Sequence, residues 1–116
     1  MKKIFRLSLQ RDFNSVFKKG LGVSLTGLTI KYLENDKKIF RLAVIIGKKV
    51  AKKATSRNLL RRRLKEILKK HSSQLVGWDL ILIAKPELAK NNFTELAELL
   101  EKALKRTRIF QWNKSF

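Results

Sequence analysis

The stretch WDLILIAKP, residues 78–86, constrains the fold more than any other part of the sequence. It is apolar at almost every position, and Pro86 ends it because proline lacks the N–H group that a strand donates to its neighbour. Strands without alternation between apolar and polar residues are typical of sheet interiors that are buried on both faces. We therefore predict that this stretch forms a central strand of its sheet.

Two amphipathic helices are predicted nearer the ends of the chain. Ser8 is positioned to cap the first and Gly20 to end it. The apolar residues of that helix recur at helical spacing and are Leu9, Phe13, Val16 and Phe17. Asn92 is positioned to cap the last helix, with Glu95 bonding back to it. The predicted buried stripe of the last helix comprises Phe93, Leu96, Ala97, Leu100, Ala103 and Leu104.

Between these helices the sequence changes period. Residues 21–47 contain short β-prone runs with turn signals at Gly27 and at residues 34–38, which predict a three-stranded antiparallel meander. Helical spacing returns at residues 54–71. The predicted order is therefore αβββαβα, an α+β arrangement in a single domain of residues 1–116, with flexible ends at residues 1–6 and about 107–116.

Charge limits what this domain binds. The chain has 28 Lys and Arg against 9 Asp and Glu, a formal net charge of +19, and such a surface repels itself and attracts polyanions. It has no Cys, which excludes disulfides and thiolate metal sites and favours a reducing cytoplasm. No segment approaches the roughly 20 apolar residues that span a bilayer. We therefore expect a cytoplasmic protein with a polyanionic partner and no membrane contact.

The cations concentrate in one segment, GKKVAKKATSRNLLRRRLKEILKK, residues 47–70, whose single acid is Glu66. At about 100° per residue, one side of a helix carries Leu60, Leu64, Ile67 and Leu68. The opposite arc carries Asn58, Arg61, Arg62, Lys65 and Lys69, with Arg57 at its border. The loop before the helix adds Lys48, Lys49, Lys52 and Lys53.

A basic helix face is usually only a solvated surface, but such faces normally mix signs so that Glu and Lys support each other. This arc has no acid, and crowded like charges are destabilising unless an anion joins them. A membrane partner would need exposed apolar residues, whereas the apolar side of this helix is required to cover the sheet. Nucleic acid fits better, because its phosphates accept hydrogen bonds from Arg, from Lys and from the free N–H groups of a helix N-terminus, here near Ser56.

Three aromatic residues suggest a second site. Phe13 and Phe17 lie one helical turn apart, and Tyr32 shares a strand face with Leu28 and Ile30. One interpretation places all three rings in the core, which a small α/β domain needs. The other is a binding role, because single-stranded nucleic acid stacks on aromatic rings that lie beside cations.

The sequence offers no catalytic constellation. Phosphodiester hydrolysis calls for carboxylates that hold metal ions or for a pair of His residues, and this chain has one His and nine scattered acids. His71 falls on the apolar side of the basic helix, which predicts packing or capping. Asp12 is predicted to favour the start of the first helix, and Asp79 to form a local hydrogen bond at a turn.

Three segments together carry a family resemblance. RDFNSVFKKG, LAVIIGKKVAKKATSRNLLRRRLKEIL and GWDLILIAKP, in this order and at these separations, resemble the protein subunit of bacterial ribonuclease P from about Leu7 to Arg106. The resemblance implies a sandwich of a four-stranded sheet against helices, with a left-handed βαβ crossover (ribosomal protein S5 domain 2-like). It also implies that the RNA subunit carries the chemistry and holds the divalent metal, Mg, so the protein needs no cofactor.

The resemblance further implies two RNA partners and no obligate protein partner. The 5′ leader of precursor tRNA would occupy a cleft lined by Phe13, Phe17 and Tyr32. The protein would assist endonucleolytic removal of the leader as an accessory subunit, with no catalytic residue and no metal ligand of its own. The catalytic RNA subunit would lie against Lys48, Lys49, Lys52, Lys53, Arg57, Asn58, Arg61, Arg62, Lys65 and Lys69.

Three positions depart from the family's pattern. Leu59 stands where the family commonly has a basic residue, Arg63 where it often has an apolar one, and Ala51 where it usually has Gly. The RNA contacts of that flank are therefore left open.

Other functions share some of these features. A ribosomal or other structural RNA-binding protein would have the same charge and a similar small fold. A DNA-binding domain that places the basic helix in the major groove is disfavoured, because no partner helix joined by a short turn precedes it. A self-sufficient nuclease is disfavoured by the missing metal ligands.

Overall fold

One mixed sheet of five strands organises the fold. The structure is a computed structural model that describes the backbone of residues 2–113 and the side chains of residues 2–110. The strands are β1 (Ile4–Arg6), β2 (Leu21–Leu25), β3 (Leu28–Glu34), β4 (Phe40–Ile46) and β5 (Trp78–Ala84). The helices are α1 (Gln10–Lys19), α2 (Ala54–Lys69), α3 (Phe93–Arg106) and α4 (Arg108–Asn113), with a 3-10 turn at Pro86–Lys90. The α+β class is confirmed.

The prediction that β5 is central is confirmed. The strand order is β1-β4-β5-β3-β2, and β5 pairs along its whole length with β3 on one side and with β4 on the other. Leu80, Ile81 and Leu82 are fully buried, although they alternate between the two faces of the sheet. A strand that is apolar on both faces gains most from this position, because both of its surfaces leave water.

The predicted meander of β2, β3 and β4 is wrong in one pairing. β2 and β3 form the expected antiparallel hairpin, and its turn at Thr26–Gly27 has the positive φ angles, 33° and 85°, that suit the twist of a tight hairpin. β4 does not pair with β3, because β5 lies between them. β4 and β5 are instead parallel neighbours joined through α2, which is the βαβ crossover that the resemblance implies.

The sheet has five strands where four were expected. Ile4–Arg6, assigned to a flexible end, forms β1 and pairs in parallel with the edge of β4, Ile4 opposite Phe40. The Leu7 N–H donates to the Leu42 carbonyl at 2.9 Å and continues this pairing. Three residues are too few to show a strand period, and a parallel partner far along the chain leaves no local signal.

Helices cover the two faces of the sheet unequally. On one face, α2 and α3 enclose the main core, which contains Leu28, Phe40, Leu64, Leu82 and Leu100. On the other face, α1 is the one helix of the described residues that packs, over a small cluster of buried residues formed by Leu7, Val16 and Ile81. Among the described residues, no helix is long and apolar enough to cross a membrane.

The helix ends confirm one capping prediction and correct another. Asn92 and Glu95 form the predicted capping box, with the Glu95 N–H donating to Asn92 Oδ1 at 2.8 Å and the Asn92 N–H donating to Glu95 Oε1 at 2.9 Å. Of the predicted stripe of α3, Leu96, Leu100, Ala103 and Leu104 are buried, whereas Phe93 at the first position is 40% exposed. Ser8 does not cap α1, which begins after Leu9 without a side-chain cap.

The C-terminal segment also differs from the expected flexible end. Arg108–Asn113 forms α4, Thr107 and Ile109 are buried, and the Arg108 N–H donates to Tyr32 Oη at 3.1 Å. The side chain of Trp112 and residues 114–116 lie outside the described part of the chain.

Candidate nucleic-acid interface

The basic helix is sorted into two sides as its spacing predicts. Leu60, Leu64, Ile67 and Leu68 are the buried residues of α2, and they pack into the main core. Because this side anchors the helix, the opposite side faces solvent. Arg62, Lys65 and Lys69 are exposed there, and Arg61 is half-buried.

The cations of α2 and of the preceding loop form no ion pair with an acid in the part of the chain whose side chains are described. Lys48, Lys49, Lys52 and Lys53 are all exposed. The four close contacts between basic and acidic side chains found among residues 2–110 involve other residues, namely Arg11, Arg41 and His71. Within this surface, Arg61 Nη1 donates to Asn58 Oδ1 at 2.9 Å. The surface therefore presents positive charge that the described protein does not neutralise.

Arg57 fastens the basic loop to the helix. Its Nη1 donates to the carbonyl oxygens of Ala51 and Lys52, each at 2.9 Å. The helix starts after Lys53 without a side-chain cap and has no acid in its first turn. Its first N–H groups and the positive end of its dipole are therefore available to an anion beside the loop lysines.

The flank where the sequence departs from the family's pattern is less polar. Leu59 is 36% exposed and Arg63 is half-buried. Both line a shallow depression that also includes Ala51 and Leu88, next to the 3-10 turn. Leu59 thus interrupts the cationic surface on the side that faces away from Arg61 and Lys65.

The aromatic pair of α1 is accessible. The ring centroids of Phe13 and Phe17 are 5.2 Å apart with an angle of 44° between their planes. Phe17 is 41% exposed and Phe13 is half-buried against Ile81 and its neighbours. Phe17 is therefore not a core residue, whereas Phe13 packs partly on the small cluster under α1.

The structure does not bring Tyr32 to this pair. Tyr32 is 3% exposed and lies in the main core, on the opposite face of the sheet, where its ring is 5.9 Å from that of Trp78. Side chains alternate along β3, so Tyr32 shares the face of Leu28 and Ile30 as predicted, but that face is covered by α2 and α3. Its grouping with Phe13 and Phe17 in one cleft is therefore corrected.

One groove connects α1 to the basic helix. Its lining includes Phe13 from α1, Ala43 and Ile45 from β4, and Arg61 and Lys65 from α2. β1 covers the edge of β4 only as far as Leu42, so the rest of that edge is open to the groove. An aromatic ring and cations from separate elements thus border the same depression.

A buried charge network fixes α1 to the sheet, and sequence reasoning missed it. Arg41 donates to both carboxylate oxygens of Asp79, from Nε at 2.8 Å and from Nη2 at 2.6 Å, and its Nη1 donates to Asp12 Oδ2 at 2.9 Å. Asn35 Nδ2 also donates to Asp79 Oδ1 at 2.7 Å. The hydrogen bond to Asp79 raises the pKa of Arg41 more than burial lowers it, with further support from Asp12.

This network changes the interpretation of both acids. Asp79 does not make only a local turn contact, because it accepts from residues 38 and 44 positions away. Asp12 acts as a tether between α1 and β4 as well as an acid in the first turn of the helix. The missing signal is a spatial one: Arg41 and Asp79 become neighbours only when β4 pairs with β5.

His71 packs near the end of α2. Its ring meets that of Phe110 edge-on at 5.9 Å, and its Nε2 lies 3.5 Å from Glu101 Oε1 without forming a hydrogen bond. Within the described part of the chain, no three His, Asp or Glu side chains are grouped closely enough to hold a metal ion. His71 is thus part of a packing contact between α2 and the C-terminal helices.

Comparison with known proteins gives a consistent result. A family model described as Ribonuclease P matches residues 1–108. The chain is 37% identical over 103 residues to the ribonuclease P protein component of Stutzerimonas stutzeri, covering 87% of this chain and 78% of that protein. It is 31% identical over 112 residues to that of Streptococcus pneumoniae, covering 96% and 90%.

Solved structures agree with the sequence matches. The RNase P protein of Staphylococcus aureus superimposes with a TM-score of 0.84 at 28% identity, covering 93% of this chain and 99% of that one. The RNase P protein of Thermotoga maritima gives 0.77 at 30% identity, covering 88% and 96%.

Proposed function

The chain belongs to the ribonuclease P protein component family, which acts in tRNA processing, and on that premise we propose that it binds two RNAs through two surfaces. The RNA subunit of the enzyme binds the loop of residues 48–53 and the exposed side of α2. The 5′ leader of precursor tRNA binds beside Phe13 and Phe17. We call these the basic surface and the aromatic cleft.

The observation that carries the proposal is the lack of acidic partners on the basic surface. Lys48, Lys52 and Arg62 are exposed, and no carboxylate of the described chain pairs with them. Gathering these charges raises the electrostatic free energy of the folded protein. RNA phosphates lower it and release counterions, which makes polyribonucleotide the natural partner.

Two features support the aromatic cleft. Phe17 exposes much of its ring, and Phe13 borders the groove that Arg61 and Lys65 also line. Bases of a single strand stack on such rings at about 1–3 kcal/mol per base, while nearby cations hold the backbone. The cleft is proposed from two phenylalanines only, since Tyr32 lies in the core.

The protein contributes positioning in this proposal. It adds contacts to the leader, which mature tRNA lacks, so it stabilises the substrate complex more than the product complex. The chemistry, with the Mg ions it needs, is that of the RNA subunit, and the protein holds no cofactor. The reaction takes place in the cytoplasm.

A matched pair of triple variants tests the basic surface. Lys48→Ala, Lys52→Ala and Arg62→Ala together remove three charges from it, and Lys85→Ala, Lys90→Ala and Lys102→Ala remove three exposed charges elsewhere. We expect the first triple to lose on the order of ten-fold or more in affinity for the RNA subunit, and the second to lose little. Equal losses would show that only overall charge matters and would refute the assigned surface.

The aromatic cleft is tested by the difference between two ligands. Adding the unmodified protein to the RNA subunit is expected to tighten the binding of precursor tRNA more than that of mature tRNA. If both tighten equally, the protein makes no leader contact and the positioning role is lost.

A further inference from the structure

Strand β2 forms one edge of the sheet and pairs with β3 alone. An edge strand exposes N–H and C=O groups that can pair with another strand, and proteins normally protect such edges with charged residues, Pro or bulges. The opposite edge strand, β1, contains Arg6 and follows Lys2 and Lys3. β2 reads LGVSL, has no charged residue and no Pro, and pairs without a bulge over all five residues. This edge is therefore unprotected.

The register of β3 determines which main-chain groups of β2 face outwards. The Lys85 N–H donates to the Gly27 carbonyl at 2.8 Å, so Gly27 and every second residue after it bond towards β5. The residues of β3 between them bond towards β2. Their partners in β2 are Leu21, Val23 and Leu25. Gly22 and Ser24 therefore direct their N–H and C=O groups away from β3, towards the open side of the sheet.

Another backbone can approach these groups. Gly22 and Ser24 are both exposed, and no strand of the described residues pairs on their outer side. Gly22 has no side chain to obstruct the approach, and a glycine inside a strand often marks such a site. A polypeptide in the extended conformation offers N–H and C=O groups at the matching two-residue spacing, whereas nucleic acid does not. The chemistry of this edge thus selects an extended polypeptide segment.

One face of the edge is apolar. Leu21, Val23 and Leu25 lie on the side of the main core, where Val23 and Leu25 pack against it. Leu21 is 44% exposed on that side. A strand added beside β2 would place every second side chain on this face. Apolar side chains at those positions would cover Leu21 and extend the core.

The other face is cationic. A Cβ atom at Gly22 would lie 3.1 Å from Lys31 Nζ, so the ammonium group of Lys31 lies over this residue. Lys18 and Lys19 are exposed at the end of α1, directly before the strand begins. None of these lysines takes part in an ion pair within residues 2–110. Acidic side chains of an added strand would therefore be stabilised on this face.

We infer that β2 binds an extended segment of a partner protein, paired antiparallel to it, in which apolar and acidic residues alternate. The acidic residues lie opposite Gly22 and Ser24 and exchange main-chain hydrogen bonds with them. A second copy of this chain is disfavoured, because two molecules of net charge +19 repel each other. The inference goes beyond the proposed function and does not depend on it, since no residue of β2 belongs to the basic surface or the aromatic cleft.

A matched pair of peptides tests the pairing on the unmodified protein. The probe has blocked ends and about six residues, the usual strand length, in which Glu and Val alternate. One derivative carries N-methyl groups on its Glu residues, whose N–H groups would face β2. The other carries them on its Val residues, whose N–H groups would face solvent. All three peptides have the same charge, so their non-specific attraction to the cationic protein is equal.

The two derivatives are expected to differ in affinity. The Val-methylated peptide should bind as the probe does, and the Glu-methylated peptide at least about ten-fold more weakly, because it loses its hydrogen bonds to the edge. Equal binding of the two derivatives overturns the inference. Absence of probe binding at about 1 mM also overturns it.

Amide hydrogen exchange locates the bound probe. We expect the probe to slow exchange of the Gly22 and Ser24 N–H groups, which face outwards. The N–H groups of Leu21, Val23 and Leu25 should change little, because they already bond to β3. Binding of the probe with unchanged exchange at Gly22 and Ser24 would place it elsewhere and overturn the inference.

A substitution in β2 gives a second, independent test. Ser24→Pro removes one outward N–H group and leaves the bonds to β3 in place, which an edge strand tolerates. Ser24→Ala is the control, because both variants lose the hydroxyl that lies 3.0 Å from Thr29 Oγ1. We expect the Pro variant to bind the probe at least about five-fold more weakly than the Ala variant. Equal affinities of two folded variants overturn the inference, and the peptide comparison decides if the Pro variant does not fold.

Three further outcomes distinguish the other possible occupants. A peptide with Gln in place of Glu is expected to bind about ten-fold more weakly than the probe, and equal binding refutes an acidic partner. Protection of the Gly22 and Ser24 amides by a single-stranded oligonucleotide, and not by the probe, would assign the edge to nucleic acid. A dimer of the unmodified protein that Ser24→Pro dissociates would assign it to a second copy.

Discussion

The two faces of the sheet are built by different means. The face under α2 and α3 buries large aliphatic and aromatic residues such as Phe40, Leu64 and Leu82. The face under α1 buries three residues and adds the charge network of Arg41, Asp12 and Asp79. The first face excludes water and supplies most of the hydrophobic stabilisation, while the second leaves part of the sheet and the α1 rings accessible.

Under the proposed function, this difference separates stability from binding within one small domain. A fully closed second face would stabilise the fold further but would remove the aromatic cleft. The hydrogen bonds of Arg41 to Asp12 and Asp79 hold α1 in a defined position on the sheet. They do so although α1 buries little apolar surface, because charged hydrogen bonds are strong and directional. We therefore expect substitutions in the main core to act on stability, and substitution of the exposed ring on α1 to act on binding.

The largest effect is expected in the main core. Phe40→Ala removes a fully buried ring and is expected to lower the free energy of unfolding by about 3–5 kcal/mol. Phe93→Ala is the matched control, because that ring is only partly buried, and a loss of about 1 kcal/mol or less is expected. Denaturant titration of both variants measures the difference. Similar losses would contradict the assignment of the main core.

The next effect is expected in the charge network. Arg41→Ala leaves Asp79 buried with Asn35 as its remaining side-chain partner, and we expect a loss of about 3 kcal/mol in the free energy of unfolding. Arg11→Ala is the control, because Arg11 is exposed and its Nε lies 3.9 Å from Asp12 Oδ1. No measurable change is expected there. A stable Arg41→Ala variant would show that the α1 face does not depend on the network.

A smaller effect, on binding instead of stability, is expected for the exposed ring. Phe17→Ala is expected to weaken binding of precursor tRNA by about 1–3 kcal/mol without changing that of mature tRNA. The melting temperature should change little, because the ring is only partly buried. A large fall in melting temperature with unchanged leader affinity would place Phe17 in the core instead.

The smallest effect is expected at Tyr32. Tyr32→Phe removes the hydroxyl that accepts the Arg108 N–H and is expected to cost about 1 kcal/mol of stability. Leader affinity should not change, because the ring lies on the face opposite α1. Reduced leader affinity at unchanged stability would show that Tyr32 contacts the leader. It would contradict the assignment of Tyr32 to the face opposite α1.

Local patterns predicted the elements that depend on nearby residues. Three features each follow from a short stretch of sequence: the capping box of Asn92 and Glu95, the two sides of α2 and the buried run of β5. Their physical causes, helix periodicity and strand burial, act over a few residues. For the same reason the cations of α2 were correctly separated from its core side.

Long-range pairings could not be predicted in this way. The insertion of β5 between β3 and β4, the docking of β1 and the meeting of Arg41 with Asp79 each join residues far apart in the chain. The strand period placed Tyr32 with Leu28 and Ile30, but it does not say which helices cover that face.

The salt dependence of RNA-subunit binding by the unmodified protein tests the central claim most directly. If exposed cations of the basic surface neutralise RNA phosphates, the logarithm of the association constant should fall with the logarithm of salt concentration at a slope of about −5 or steeper. A slope near zero would mean that few phosphates are neutralised, and it would contradict the account.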